Sequence, residues 1–207
     1  MKSEINKPEL KIRYAQLLDP FILGYLKDRD GWKEWTPPSK ERILESIAKY
    51  KAWWEKDAEK VFEAMFEAMN LEFKRTVIDI YVVSGINRQM SDPVILKSCL
   101  KEDYFISTIV HELTHLLFMQ NNDKFSHKLI MEEYPEESKT TVDHIYTFAF
   151  LKYLLNDILK LEGALERTIN LAKETGNNTD YLKAWKIVEK IGYKKLLDEI
   201  KNKRFSM

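Results

Sequence analysis

The chain has 207 residues, of which 44% are hydrophobic, with six Gly, six Pro and one Cys, and its 33 Lys+Arg balance 33 Asp+Glu to a formal net charge of zero. So much apolar material excludes a wholly disordered chain, and the scarcity of Gly and Pro argues against collagen-like, linker-like and many-turned all-β architectures. The charge balance gives no reason to expect nucleic acid, an anionic membrane surface or an acidic partner, and the lone Cys99 cannot form an internal disulfide, so a reducing compartment is the default.

Residues Met1 to Pro8 lack the apolar core of a signal peptide. The longest apolar stretch, Ile145 to Leu155, is interrupted by Lys152 and falls short of the roughly 20 residues that span a bilayer. The expectation is a cytoplasmic protein with no membrane or nucleic-acid partner. Charged residues at 32% exceed the usual share, a composition that leans toward a heat-adapted source.

In chain order, residues 8 to 30 give a short helical pattern through Ile12, Ala15, Leu17, Leu18, Phe21, Ile22 and Leu26. Asp28 to Pro38 reads as a loop carrying Trp32 and Trp35, and Thr36-Pro37 suits a helix N-cap followed by Pro in the first turn. From Lys40 to about Asn70, Ile43, Ile47, Tyr50, Trp54, Val61, Ala64 and Met65 recur at helical spacing, as one long helix or two broken near Asp57. The β-branched and aromatic run Thr76 to Val83, stopped by Ser84-Gly85, predicts a strand. Pro93 to Lys97 predicts a second, and its leading Pro favours a sheet edge. Helical patterning then holds in four pieces, 103–121, 138–162, 163–175 and 179–204, with Gly176 and Gly192 as natural stops. The expected class is α+β, mostly helical, with a small sheet preceding the central helix. Its expected organisation is an N-terminal helical region (1–70), a core (71–162) and C-terminal helices (163–207) in one compact domain.

The chemistry concentrates in Ile109-Val110-His111-Glu112-Leu113-Thr114-His115-Leu116-Leu117. Two histidines four apart project from one helix face, a spacing that lets both imidazoles bind one Zn²⁺. The adjacent Glu112 is placed to take a proton from the water on such a metal rather than to ligate it. Ile106, Ile109, Val110, Leu113, Leu116 and Leu117 surround the motif with apolar side chains, so the helix is expected to be buried and its polar groups to need partners.

A catalytic zinc takes three protein ligands and keeps one position open. A metzincin continuation would need Gly at 118 and His at 121, where Phe118 and Asn121 stand. His144 shares an apolar helix face with Phe148, Leu151 and Leu155 and is the leading third ligand. Asp143 and the acidic residues Glu132, Glu133, Glu136 and Glu137 are the alternatives, although a charge run around Pro135 reads more simply as a solvated helix entrance. His127 reads as a solvated loop residue.

His111-Glu112-Leu113-Thr114-His115 followed by a ligand-bearing helix resembles the zincin metallopeptidases, closest to gluzincins. Asp143-His144-Ile145-Tyr146-Thr147-Phe148-Ala149 faintly resembles the ImmA/IrrE family, with His144 where that family has Glu. The resemblance covers about residues 76 to 160. It implies a zincin-like catalytic core at 71–162, with Pro93 to Lys97 as the cleft strand that pairs with an extended peptide. The function it implies is zinc-dependent peptide-bond hydrolysis with Glu112 as catalytic base, His111, His115 and His144 as metal ligands, and a peptide or protein substrate. Tyr146, Tyr134 and His127 are candidates for stabilising the oxyanion. The alternative is a zinc-stapled helical interaction or regulatory protein without peptidase activity.

Other features read as structural. Trp32, Trp35, Trp53, Trp54 and Trp185 are expected in the core rather than in substrate subsites. Cys99 is expected to be a small buried hydrophobe, and Lys201-Asn202-Lys203-Arg204 a frayed basic end.

Overall fold

Residues Glu9–Tyr14 alternate in character: Leu10, Ile12 and Tyr14 pack inward while Glu9, Lys11 and Arg13 face solvent. That period of two makes the segment a strand, β1, and corrects the helical reading of residues 8 to 30, which holds only from Asp19 to Lys27 (α1). The structure, a computed structural model, describes residues 6–161, 163–174 and 179–202. The stop at Gly176, most of Met1 to Pro8 and the basic pair Lys203-Arg204 fall outside the described residues.

Lys40–Met69 is one unbroken helix, α2. Its cap is Ser39, whose hydroxyl accepts from the Arg42 N–H, not Thr36. Asn70 ends it in the left-handed region at φ 54°, a conformation Asn tolerates better than most residues.

The sheet contains β1, β2 (Val77–Val83), β3 (Met90–Ser91) and β4 (Val94–Lys97) in the order β1-β2-β4-β3. The first three neighbours are parallel and β3 is antiparallel to β4. The expected edge strand at Pro93 to Lys97 is therefore interior. Residues 87 to 92 fold back to add β3 outside it, and Pro93 precedes the ladder, where its missing N–H is not needed. One face of the sheet, with Ile12, Ile78, Ile80, Val82, Val94 and Leu96, joins the main core beneath α2 and the central helix α3 (Glu102–Gln120). The other face holds a smaller cluster of Ala15, Val83 and Ile95, with Ile22 of α1 packed on it.

After α3 come α4 (His127–Glu133), α5 (Lys139–Lys152) with a π-helical continuation Tyr153–Ile158, α6 (Ala164–Glu174), α7 (Thr179–Ile191) and α8 (Tyr193–Lys201). Gly192, an expected stop, lies at φ 93° and separates α7 from α8, so the piece 179–204 is two helices. The polar stretch after Asn121 is loop only as far as Ser126. His127 opens α4, and Glu132 and Glu133 lie in its last turn rather than at a helix entrance. The fold is α+β and mostly helical, with a small mixed sheet of four strands. No helix among the described residues is long and apolar enough to cross a membrane.

Trp54 is buried, and Trp53 and Trp185 pack against the core. Trp32 and Trp35 are half-buried and form an edge-to-face pair, with ring centroids 4.8 Å apart, over Gly85. Cys99 is exposed, contrary to expectation: it occupies the turn between β4 and α3 at φ 60°, with its Sγ 3.7 Å from Ser46 Oγ.

Candidate metal centre and cleft

α3 is buried on most of its circumference; Phe105, Ile109, Val110, Leu113, Leu116 and Leu117 are inaccessible to solvent. The face that remains carries His111 and His115 one turn apart, and their Nε2 atoms lie 3.1 Å from each other. Two imidazole nitrogens at this separation share either a proton or a cation. α5 packs against α3 and brings the His144 ring to 5.1 Å from His111 and 4.8 Å from His115, centroid to centroid. The donor atoms of the three residues all lie within 4.8 Å of one another.

The start of α5 is held in place by local chemistry. Ser138 caps it by accepting from the Thr141 N–H and donates to Asp180 Oδ1 at 2.8 Å, and Thr141 Oγ1 donates to the same carboxylate at 3.2 Å. This latch ties the N-terminal ends of α5 and α7 together and seats Tyr181, whose ring lies 4.1 Å from that of His144.

Burial controls the charge of the cluster. It pushes His111 well below its usual pKa, with help from the neighbouring His115, His144 and Arg88. His115 falls to about 3 and His144 to about 4, both first through burial, although the Thr140 carbonyl opposes the fall at His144. At neutral pH all three imidazoles are uncharged and offer lone pairs, the state a metal requires. Burial raises Glu112 to about 7, opposed by the Ser91 hydroxyl and by Arg88. Ser91 donates to Glu112 Oε2 at 2.5 Å, so the edge strand β3 holds the carboxyl of the central helix.

His111, His115, Glu112 and His144 line one cleft of about 1420 Å³. Asp143 lines it too, but its Oδ1 lies 2.5 Å from His127 Nε2, and neither residue joins the three-donor group. Glu132, Glu133, Glu136 and Glu137 do not line the cleft among the described residues. Tyr146 reaches the cleft wall, yet its hydroxyl donates to Glu199 Oε2 at 3.1 Å, and Tyr134 packs against the main core. Sequence reasoning missed Ser91, Arg88 and Tyr181, each brought to the site by tertiary contact from outside the motif. An Arg in a strand-to-strand loop, a Ser in a two-residue strand and a Tyr in the first turn of a distant helix carry no local signal of that role.

Comparison of the chain with protein-family models, with curated proteins and with solved structures found no match. The donor chemistry is then the guide. Three imidazoles suit a borderline cation such as Zn²⁺ better than a hard cation such as Mg²⁺ or Ca²⁺, which prefers oxygen ligands.

Proposed function

We propose that this chain is a zinc-dependent peptidase with a gluzincin-like site, in which His111, His115 and His144 hold the metal and Glu112 is the general base. The observation that carries the reading is the convergence of three neutral imidazoles from two helices, with the Glu112 carboxyl beside them, on one cleft. When bound, zinc supplies Lewis-acid polarisation of a carbonyl and brings the pKa of a coordinated water toward about 7.

Glu112 handles the proton. Burial raises its pKa in the metal-free site, and a dication held by the neighbouring histidines would favour the carboxylate, the form that accepts a proton. Ser91 occupies Oε2, and Oε1 has no protein donor among the described residues, so a carboxylate lone pair is left to accept a proton from the attacking water. The same group can return that proton to the leaving amine. The two-residue edge strand β3, which carries Ser91, takes the part expected of Pro93 to Lys97: its outer edge is where an extended peptide would add main-chain hydrogen bonds beside Glu112.

A zinc-stapled interaction protein would need a fourth protein donor to close the site. The donor group among the described residues has three members, which favours an open, hydrolytic position. The test is digestion of a broad peptide library by protein stripped with chelator and by the same protein after addition of one equivalent of zinc. Cleavage is expected only after zinc is restored. Stoichiometric zinc uptake without cleavage of any peptide would move the reading to the staple.

A further inference from the structure

The peptidase reading leaves three cationic side chains of the cleft, Arg88, Lys97 and Lys139, without a role, and Arg88 is the one tied to a residue packed on the histidines. Arg88, in the loop between β2 and β3, is exposed and lines the cleft. Its guanidinium donates to Tyr181 Oη at 3.0 Å and lies 5.4 Å from the centroid of the Tyr181 ring. That ring in turn lies 4.1 Å from His144 and 6.4 Å from His111. An exposed arginine is thus braced by a residue that packs on the histidine cluster.

The carboxylates of the same cleft are already partnered. Asp92 accepts from Nη1 and Nη2 of Arg75 at 2.9 Å each, Asp143 contacts His127, Asp180 accepts from Ser138 and Thr141, and Glu112 accepts from Ser91. Arg88 has only a neutral hydroxyl, and no carboxylate partner among the described residues. A guanidinium presents five N–H donors in a planar fork that matches a carboxylate. The brace on Tyr181 removes part of the side-chain entropy that a surface arginine would lose on binding.

We propose that Arg88 is the substrate anchor of this cleft, and that the site takes peptides bearing a carboxylate close to the bond presented to the histidine cluster. The inference rests on the peptidase reading of the cleft. The carboxylate has two possible sources, the peptide C-terminus or an Asp or Glu side chain, and both meet the same fork.

The experiment is calorimetric titration of zinc-loaded Glu112→Gln protein, in which binding is read without turnover. Four N-acetylated peptides of one sequence are used: C-terminal amide, free C-terminus, amide with an internal Glu, and amide with Gln in its place. At least one carboxylate peptide should bind roughly 10–100-fold more tightly than its neutral counterpart, the range of a charge-assisted bidentate contact, and which one does identifies the source. Arg88→Ala should abolish that preference, weakening the carboxylate peptides far more than the neutral ones. Arg88→Lys should keep part of it, and Tyr181→Phe, which removes the bracing hydroxyl but keeps the ring, should weaken it less than Arg88→Ala. Equal binding of charged and neutral peptides, a uniform loss in Arg88→Ala, or no peptide binding at all would each overturn the proposal. Arg88-dependent binding together with no cleavage by the zinc-loaded wild type would keep the anchor and remove the peptidase. Cleavage with no preference for a carboxylate would do the reverse.

Discussion

The Nδ1–H of His144 donates to the carbonyl oxygen of Thr140, one turn earlier on α5, at 2.6 Å. A carbonyl only accepts, so Nδ1 carries the proton and the neutral ring keeps its lone pair on Nε2. A backbone acceptor that fixes the tautomer and orientation of an imidazole is the support a metal-ligating histidine needs.

That relationship separates His144 from its neighbour. His144→Ala should lower zinc affinity at least about 100-fold, since loss of an outer hydrogen bond to a ligand alone costs 10–100-fold. Asp143→Ala, which removes a residue held by His127, should leave one zinc per chain. Metal analysis after dialysis against a buffered zinc concentration checks both. Zinc retained in the first variant and lost in the second would reverse the assignment.

The buried site sets two opposite pH dependences in the metal-free protein. His115 and His144 have folded pKa values of about 3 and about 4 against an ordinary 6.5. The folded state therefore binds fewer protons than the unfolded one in that interval, and the stability these residues contribute is lost as pH falls from about 6.5 through about 4. Glu112, raised from 4.5 to about 7, holds its proton longer when folded, so its contribution is lost as pH rises through that window. Glu112→Gln removes only the second effect. In urea unfolding with chelator, the variant should gain about 2–3 kcal/mol on the wild type between pH 4.5 and pH 7.5, at about 1.4 kcal/mol per pKa unit. A difference that does not change with pH would contradict a buried, uncharged Glu112.

How much of this was legible in the sequence follows from how local each signal is. His111, Glu112 and His115 belong to one turn of one helix, and His144 stood out as a lone polar residue on an apolar face; the structure brings the three imidazoles together. β1 was missed although Leu10, Ile12 and Tyr14 alternate cleanly with charged residues, because the window that included the helical Phe21, Ile22 and Leu26 averaged two periodicities into one. The place of β4 in the sheet depends on where β3 and β1 come to lie, and a two-residue strand has no pattern of its own. Arg88, Ser91 and Tyr181 reach the site from separate elements across contacts that no spacing rule encodes.

Away from the cleft, Asp19 ties the sheet to α1. Its buried carboxylate accepts from the Ser84 N–H at 2.7 Å, from the Ser84 hydroxyl and from Tyr14 Oη at 2.8 Å. Asp19→Ala would leave three donors without an acceptor and should cost about 2–4 kcal/mol, read by denaturant midpoint. Tyr14 offers a second readout: burial and, after it, the bond to Asp19 raise it to about 12, and the variant should lower it part of the way in an absorbance titration, because burial remains. Unchanged stability would mean that solvent replaces these bonds.

Gly85 leads into the loop that carries Arg88. A Cβ there would meet the Trp35 ring at 2.6 Å and the Trp32 ring at 2.9 Å, so Gly85→Ala must push the ring pair outward. The expected cost is about 1–3 kcal/mol, the range for overpacking, with a change in tryptophan fluorescence. A stable variant with an unchanged spectrum would show that the two rings yield freely.

The central claim is that Glu112 moves a proton beside a metal held by three histidines, and one comparison reaches it most directly. Wild type and Glu112→Gln, each carrying one zinc per chain, are given the same peptide library. The substitution is nearly isosteric, but an amide cannot take the proton. The variant should therefore keep the metal, the fold and peptide binding while cleavage falls at least about 10²–10⁴-fold, the share of a general base. Equal cleavage by the two proteins at equal zinc content would contradict the account.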